Sequence, residues 1–322
     1  SRMIRSALME TVLYIPTDPN LSLENLAESF EAFQGRRMVF FDLETIGSTF
    51  GDYQDRVPRQ VSEIYAVAFD LDLNVSLQEV AQGYLDNKDE FHFLADYTPD
   101  VIAKRSQEKS LTFNQAVAQG LDQYAVDAFG KKKRNQPWNV QDYIDYTHRE
   151  DPATMAKIEK LGLKIGKGDE KTILENFTRF LEEQNQKANG KIILAGHNIL
   201  NFDINFLYRR SDSYGLSTDL LTSDRIDIFD TLLMARDFHQ DYAESKIEYG
   251  SKTYDDPPNT PWQFKKWYTK NGNKILKSGL QQLAQTYKID TGVPHVAKYD
   301  VLTNVNVFIA IYKDIIRYFD WL

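Results

Sequence analysis

Runs of apolar and β-branched residues mark five strands along this chain. Residues 37–44 and 61–70 are dense in such side chains, which is typical of buried strands, and 75–84 is a weaker third candidate. A short apolar run at 191–195 and a strand-like segment at 225–230 complete the set. The pattern therefore predicts three strands in succession, followed by two that are separated by helices.

Helical spacing of apolar residues marks the segments between and after the later strands. The clearest is 171–186, which has one apolar face and ends before an Asn-Gly pair. The predicted helices are 171–186, 203–208, 231–238, 280–287 and a long apolar one at 300–318. This order of elements predicts an α/β domain with a mixed sheet.

The remaining residues divide into an extension and two insertions. Residues 1–35 form an N-terminal extension with a short amphipathic helix, and 36–322 form one domain. Within that domain, about 88–165 reads as a mostly helical insertion, and about 240–278 is irregular and rich in Pro, Asn, Lys and aromatic residues. We see no internal repeats.

Composition narrows the class of protein. The chain has no Cys, which excludes disulfides and thiolate metal sites. Its net charge of −9 argues against a protein that coats duplex DNA by electrostatics alone, but not against an enzyme that grips a few nucleotides. No apolar run approaches the ~20 residues that span a bilayer, and no segment resembles a signal peptide. We expect a cytoplasmic protein without membrane contacts.

Two acids lie in the first predicted strand. Asp42 and Glu44 are two residues apart, so a strand places both on one face of the sheet. The apolar neighbours Phe40, Phe41 and Leu43 leave no obvious solvent face, which disfavours an ordinary surface strand. Two acids on a buried face repel each other unless a cation lies between them.

A third acid follows the fourth predicted strand. Asp203 comes after a Gly-His-Asn turn, in the first turn of a helix, where the helix dipole alone could explain an acid. His197 and Asn198 lie at the strand end, where open α/β sheets bind ligands, and are candidate substrate contacts. Ordinary turn chemistry explains these two equally well.

The last two candidate site residues, a histidine and an aspartate, lie at the start of the final predicted helix. His295 precedes that helix, and Asp300 lies five residues on among apolar neighbours. A His side chain suits proton abstraction near neutral pH. Oxygen ligands favour Mg²⁺ or Mn²⁺, and two such ions can hold the attacking and leaving oxygens of a phosphodiester.

Three segments together resemble a known family. Phe-Asp-Leu-Glu-Thr-Ile-Gly, His-Asn-Ile-Leu-Asn-Phe-Asp and His-Val-Ala-Lys-Tyr-Asp are similar, in order, to the three motifs of the DEDDh (DnaQ-like) 3′→5′ exonucleases of the RNase H-like superfamily. The His five residues before the last Asp marks the His branch, and Asp230-Thr-Leu resembles a further segment of the family. The resemblance covers about 36–84, 171–238 and 279–320, and implies an RNase H-like mixed five-stranded sheet flanked by helices.

The resemblance also implies a role for each chemical group. Asp42 would bridge two Mg²⁺ (or Mn²⁺) ions, and Glu44 and Asp300 would complete one of the two sites. Asp203 would support the pair directly or through water, and His295 would be the general base. The product would be a nucleoside 5′-monophosphate.

Substrate contacts are expected in two places. Thr45 and Ile46, directly after the acids, would lie against the terminal nucleotide, as the resemblance implies. Residues 261–279 have five Lys, no acid and interleaved aromatic residues, a composition that suits single-stranded nucleic acid as well as a solvated loop. The candidate contacts there are Trp262, Lys265, Lys266 and Trp267.

The leading interpretation is a metal-dependent 3′→5′ exonuclease that acts on single-stranded DNA or DNA 3′ ends. A 3′→5′ exoribonuclease is the nearest alternative, because no residue identifies the sugar. A second alternative is a replication or polymerase-associated interaction subunit, whose insertions contact a replication or repair protein and whose nuclease site is secondary. The complete set of acids argues against that alternative.

Overall fold

The computed structural model of this 322-residue chain describes nine stretches of it. These are 33–46, 59–74, 88–101, 111–112, 137–138, 166–188, 190–235, 278–291 and 297–321. The predicted N-terminal helix, the candidate strand at 75–84 and nearly all of the irregular 240–278 region lie outside the described residues.

The described strands form one mixed sheet and one small pair. In chain order they are β1 Arg37–Ile46, β2 Gln60–Asp70, β3 Asp89–Ala95, β4 Leu111–Thr112, β5 Pro137–Trp138, β6 Gly166–Gly168, β7 Ile193–Gly196 and β8 Asp227–Asp230. The sheet has the order β6-β3-β2-β1-β7-β8, while β4 pairs with β5.

The middle of this sheet combines antiparallel and parallel strand pairs. Strand β2 runs antiparallel to both β1 and β3, and β7 and β8 then continue parallel to β1. The prediction of a mixed α/β sheet flanked by helices is confirmed. The structure adds a sixth, three-residue strand, β6, parallel to β3 at the edge.

Helices cover both faces of the sheet. They are α1 Glu170–Lys187, α2 Asp203–Ser213, α3 Asp219–Thr222, α4 Leu280–Thr286 and α5 Ala297–Trp321. Helix α1 begins at an Asp169 cap, whose side chain accepts the backbone N–H of Thr172. None of the helices in the described part of the chain is both long enough and apolar enough to cross a bilayer.

Alternation along β1 decides which helices each side chain meets. Val39 and Phe41 pack in the core formed with α1 and α2, whereas Phe40 packs in the core formed with α4 and α5. Because alternate side chains share a face, Asp42 and Glu44 belong to the α5 side. The apolar core thus positions the two acids opposite the final helix.

Strand β3 differs from the sequence prediction. Residues 89–95 lie within the predicted helical insertion at 88–165, but they form a strand that pairs with β2 over six residues. The segment alternates, with Phe91 and Ala95 in the core on the α1 side and His92 on the opposite face. An acidic start and a short length hide this alternation, and pairing with β2 overrides the weak local signal. The large helical insertion is not confirmed.

A buried ion pair joins α1 to α2 and to the sheet. Glu170 is 1% exposed; its carboxylate accepts the Val61 N–H at 2.5 Å, the Tyr214 hydroxyl at 2.6 Å, and the Arg210 guanidinium. Replacing Glu170 with Gln removes the charge while Arg210 stays in place. We expect this change to lower the free energy of unfolding by about 2–3 kcal/mol.

Urea denaturation with an unchanged m-value would measure this effect. The matched control is Glu175→Gln, an exposed position on the same helix, which should change stability by less than about 0.5 kcal/mol. Equal stability of the two variants would contradict the prediction.

Candidate active site

Three carboxylates meet where β1 faces the start of α5. One oxygen from each of Asp42, Glu44 and Asp300 lies within 4.8 Å of the others. Asp300 is in the first turn of α5, and Gln281 of α4 donates to its Oδ1 at 3.5 Å. All three acids keep partial exposure to solvent, so the cluster is accessible from outside.

The fourth predicted acid lies beside the same part of β1. Asp203 is the first residue of α2, is 3% exposed, and accepts the backbone N–H of Leu43 at 3.1 Å. Leu43 lies between Asp42 and Glu44 in the chain. The structure therefore brings together four acids that come from three separate segments of the sequence.

The acids perturb one another strongly. Desolvation, followed by repulsion from Glu44, Asp203 and Asp300, raises the pKa of Asp42 well above its usual value. Desolvation likewise raises the pKa of Asp203 to about 8, although the N–H of Leu43 works in the opposite direction. Crowded carboxylates of this kind are stabilised by protons or by a cation. An all-oxygen donor set fits a hard divalent ion such as Mg²⁺ or Mn²⁺.

A buried aspartate shapes the turn that delivers Asp203. Asp230, at the end of β8, is 2% exposed and accepts the backbone N–H groups of Asn198 at 2.8 Å and Leu200 at 3.1 Å. Asn198 has φ 61°, a left-handed conformation that Asn tolerates better than most residues. A Cβ on Gly196 would lie 2.4 Å from the side chain of Ile199. The tight turn therefore depends on Gly196, on Asn198 and on Asp230. The sequence pointed to Asp230 only through the family resemblance.

His197 has protein partners at both ring nitrogens. Its Nδ1 lies 2.9 Å from the Thr231 hydroxyl, and its Nε2 lies 2.7 Å from the carbonyl oxygen of Ser278. Because a carbonyl only accepts, Nε2 carries a proton in this arrangement. A polar contact between His197 and a substrate would require one of these bonds to open, so its role as a substrate contact stays a prediction.

Of the other predicted site residues, two belong to β1 and the rest lie outside the described residues. Thr45 and Ile46 are the last two residues of β1 and directly follow Glu44, with Thr45 half-buried and Ile46 buried. His295 lies outside the described residues, two positions before α5 begins. The segment with Trp262, Lys265, Lys266 and Trp267 also lies outside them.

Sequence reasoning missed one acid beside this site. Glu63 of β2 is 2% exposed and lies directly across from Glu44 in the β1–β2 ladder. Its charge contributes to the raised pKa of Asp42. Only the register of the two strands reveals this position, because Glu63 resembles no catalytic motif.

His92 on β3 is a second buried polar group near Glu63. It is 6% exposed, its ring packs edge-on against Tyr65, and its Nε2 lies 3.9 Å from Glu63 Oε1. Among the described residues, neither ring nitrogen has a hydrogen-bond partner. Desolvation, assisted by the positive charge of Lys298 and opposed by Glu90, lowers the pKa of His92 to about 4. The ring is therefore neutral at neutral pH.

This lowered pKa predicts an acid-sensitive fold. In the unfolded chain His92 takes up a proton below its ordinary pKa of 6.5, whereas the folded protein resists protonation down to about 4. Stability is thus lost as the pH falls through this window. Compared with a His92→Phe variant, the wild type should lose about 2–3 kcal/mol more between about pH 7 and pH 4.5. Denaturant titrations of both proteins at the two pH values measure the difference, and parallel losses would contradict it.

No protein-family model and no curated protein matches this chain. Among solved structures, Escherichia coli exonuclease I with a dT13 oligonucleotide is similar over 88% of this chain and 43% of its own, at 12% identity and TM-score 0.44. The zinc-bound form of the E. coli exonuclease I complex with single-stranded DNA is similar over 89% and 43%, at 15% identity and TM-score 0.38.

A third similar structure, the ExoI/SSB-Ct complex, covers 89% of this chain and 43% of its own, at 14% identity and TM-score 0.37. This chain therefore spans less than half the length of each of these proteins.

Proposed function

We propose that this protein is a metal-dependent 3′→5′ exonuclease that releases nucleoside 5′-monophosphates from single-stranded DNA or DNA 3′ ends. The observation that supports this most is the meeting of Asp42, Glu44, Asp203 and Asp300 at one end of β1. Carboxylates that repel one another in this way are costly to a fold. Bound divalent cations would offset this repulsion, which explains why the fold keeps the acids together.

The acids would divide the work of holding two Mg²⁺ or Mn²⁺ ions. Asp42 would contact both ions, Glu44 and Asp300 would complete one site, and Asp203 would support the pair directly or through water. When bound, such ions supply positive charge that stabilises the phosphate oxygens during an in-line displacement. The chain itself contributes rigidity, because β1, α2 and α5 hold the four acids on three packed elements.

His295 would act as the general base. It would take one proton from the attacking water as the water oxygen bonds to the terminal phosphorus. The bond from phosphorus to the 3′ oxygen of the preceding nucleotide then breaks, and that oxygen takes a proton from solvent. The strand is one nucleotide shorter and ends in a free 3′-hydroxyl.

Substrate binding would involve the edge of the acid cluster and one basic segment. Thr45 and Ile46 would lie against the terminal nucleotide, and His197 and Asn198 would contact the substrate near the end of β7. Trp262 and its neighbours in 261–279 would stack on bases, and Lys265, Lys266 and Trp267 belong to the same proposed surface. We propose a single-stranded 3′ end as the preferred ligand.

Digestion of labelled oligonucleotides tests this function. DNA and RNA strands of one sequence, labelled at the 5′ end, should be compared with Mg²⁺, with Mn²⁺ and with a chelator. We expect the DNA to shorten progressively from its 3′ end, 5′-mononucleotides to accumulate, and the chelator to stop the reaction. A 3′-terminal phosphorothioate bond should protect the strand.

Three outcomes would change the proposal. Equal digestion of RNA would overturn the preference for DNA, and internal cleavage products would overturn the exonuclease assignment. Negligible turnover together with co-purification of a polymerase would favour the interaction subunit instead.

A further inference from the structure

We propose that Glu63 is a positioning residue, which fixes the first turn of α5 and thereby sets Asp300 against the strand that carries Asp42 and Glu44. The catalytic consequence rests on the exonuclease function proposed above. The structural consequence, an anchored helix start, stands on the geometry of the described residues alone.

Glu63 lies on β2 directly beside a bulge between β1 and β2. Glu44 pairs with Glu63 and Thr45 pairs with Val61, so Ser62 is an extra residue on β2. Beyond the bulge the side chains of β2 change faces, and Val61 packs in the core on the α1 side. Glu63 shares a face with Tyr65 and Val67, which pack in the core formed with α4 and α5. Glu63 therefore faces α5, the helix that supplies Asp300.

A hydrogen bond joins Glu63 to that helix. Glu63 Oε1 accepts the backbone N–H of Ala297, the first residue of α5, at 3.1 Å. The N–H groups at the start of a helix have no partner within the helix, so an acceptor from outside decides where the first turn lies. Asp300 is three residues on, in the same turn and on the same side as Ala297. A fixed Ala297 therefore fixes the backbone that carries the Asp300 carboxylate.

A second tether acts on the same turn. Lys298 Nζ lies 5.8 Å from the centre of the Tyr65 ring and 4.0 Å from a carboxylate oxygen of Glu90. Glu63, Tyr65 and Glu90 all belong to β2 or β3. The start of α5 is thus attached to both β2 and β3.

Helix capping alone does not explain why a charged residue occupies position 63. A fully buried fifth carboxylate beside Asp42 adds repulsion to a cluster that already holds four acids. A shorter neutral side chain would cap a helix without this repulsion, but it would not span the distance from β2 to α5. The property that this position requires is therefore the length of the side chain, or its reach. A variant that shortens the side chain should have a different kcat from one that only removes the charge.

Two conservative variants separate these properties. Glu63→Gln keeps the length and an acceptor oxygen but loses the charge, whereas Glu63→Asp keeps the charge and withdraws the acceptor by one methylene. We expect Glu63→Asp to lower kcat on single-stranded DNA by about 10-fold or more, since small displacements of catalytic groups have large effects. We expect Glu63→Gln to retain kcat within about 3-fold, and KM to change little in either variant.

Hydrogen exchange supplies a readout that does not depend on activity. The amide of Ala297 should exchange faster in Glu63→Asp than in the wild type, and should stay protected in Glu63→Gln. The control is Leu181→Ala, a buried position in α1 on the opposite face of the sheet. It should lower the thermal midpoint without changing kcat or the exchange of the Ala297 amide.

Distinct results would overturn the proposal. A Glu63→Asp variant with wild-type kcat and wild-type protection of Ala297 would show that Glu63 does not position α5. Loss of kcat in the Gln variant, with retained kcat in the Asp variant, would show that charge matters rather than reach. If the wild type digests no nucleic acid, the exonuclease function fails, and the exchange of the Ala297 amide in the two variants still decides whether Glu63 anchors the helix.

Discussion

Replacing Asp42 with Asn is expected to abolish exonuclease activity and, at the same time, to make the metal-free protein more stable. Activity should fall by about 10³-fold or more, because a group that holds charge in place for the transition state is lost. Stability should rise because desolvation and the charges of Glu44, Asp203 and Asp300 all oppose an ionised carboxylate at this position. An amide of the same shape removes that repulsion.

Two measurements on one preparation check both halves of this prediction. Single-turnover digestion of a 5′-labelled strand gives the rate, and thermal unfolding in chelator gives the stability. Added Mn²⁺ should raise the unfolding temperature of the wild type but have little effect on Asp42→Asn. Asp212→Asn, at an exposed position near the end of α2, is the matched control. It should leave the digestion rate, the unfolding temperature in chelator and the Mn²⁺ effect unchanged.

Two results for Asp42→Asn would contradict this prediction. If Asp42→Asn destabilised the metal-free protein, the carboxylate would be making favourable contacts, and the acids would form a structural network instead of a cation site. Retained activity within about tenfold would remove Asp42 from the chemistry.

Replacing His295 with Ala should slow kcat by roughly 10²–10⁴, the usual size of general-base effects. The affinity for Mn²⁺ and for single-stranded DNA should stay close to that of the wild type, because the acids are untouched. A general base must be neutral to accept a proton, so the acid limb of the pH–rate profile should disappear in the variant. Rates between about pH 5 and pH 8, together with Mn²⁺ titrations, measure these effects.

Added imidazole gives this prediction an internal control. A small base can enter the space left by His295→Ala and restore part of the rate, whereas His295→Gln leaves no such space. An unchanged kcat in His295→Ala would assign the proton transfer to another group. Lost Mn²⁺ affinity would instead indicate that His295 holds the site together.

Local patterns were sufficient for the elements that carry the acids. The density of apolar residues around Asp42 predicts β1, and the amphipathic spacing of 171–186 predicts α1, because both signals lie within one element. The observed bounds, Arg37–Ile46 and Glu170–Lys187, agree with these predictions within two residues. The sequence also singled out Asp42, Glu44, Asp203 and Asp300 as candidate site residues, because acids within apolar runs are unusual.

Strand β3 was not predictable in the same way. Its seven residues begin with two acids and include a His, and such a composition has weak strand preference by itself. Pairing with β2 and burial of Phe91 against α1 make it a strand. Both of these partners are distant in the sequence.

By itself, the sequence determined β1 and α1, and it singled out the four acids and the face of β1 on which two of them lie. These follow from spacing within single segments, where neighbours along the chain set the geometry. Only the tertiary structure decided that Glu63 lies across from Glu44, that Asp230 shapes the turn before Asp203, and that Glu63 anchors the start of α5. Strand register and hydrogen bonds between distant segments set those positions, because folding brings together groups that no local pattern relates.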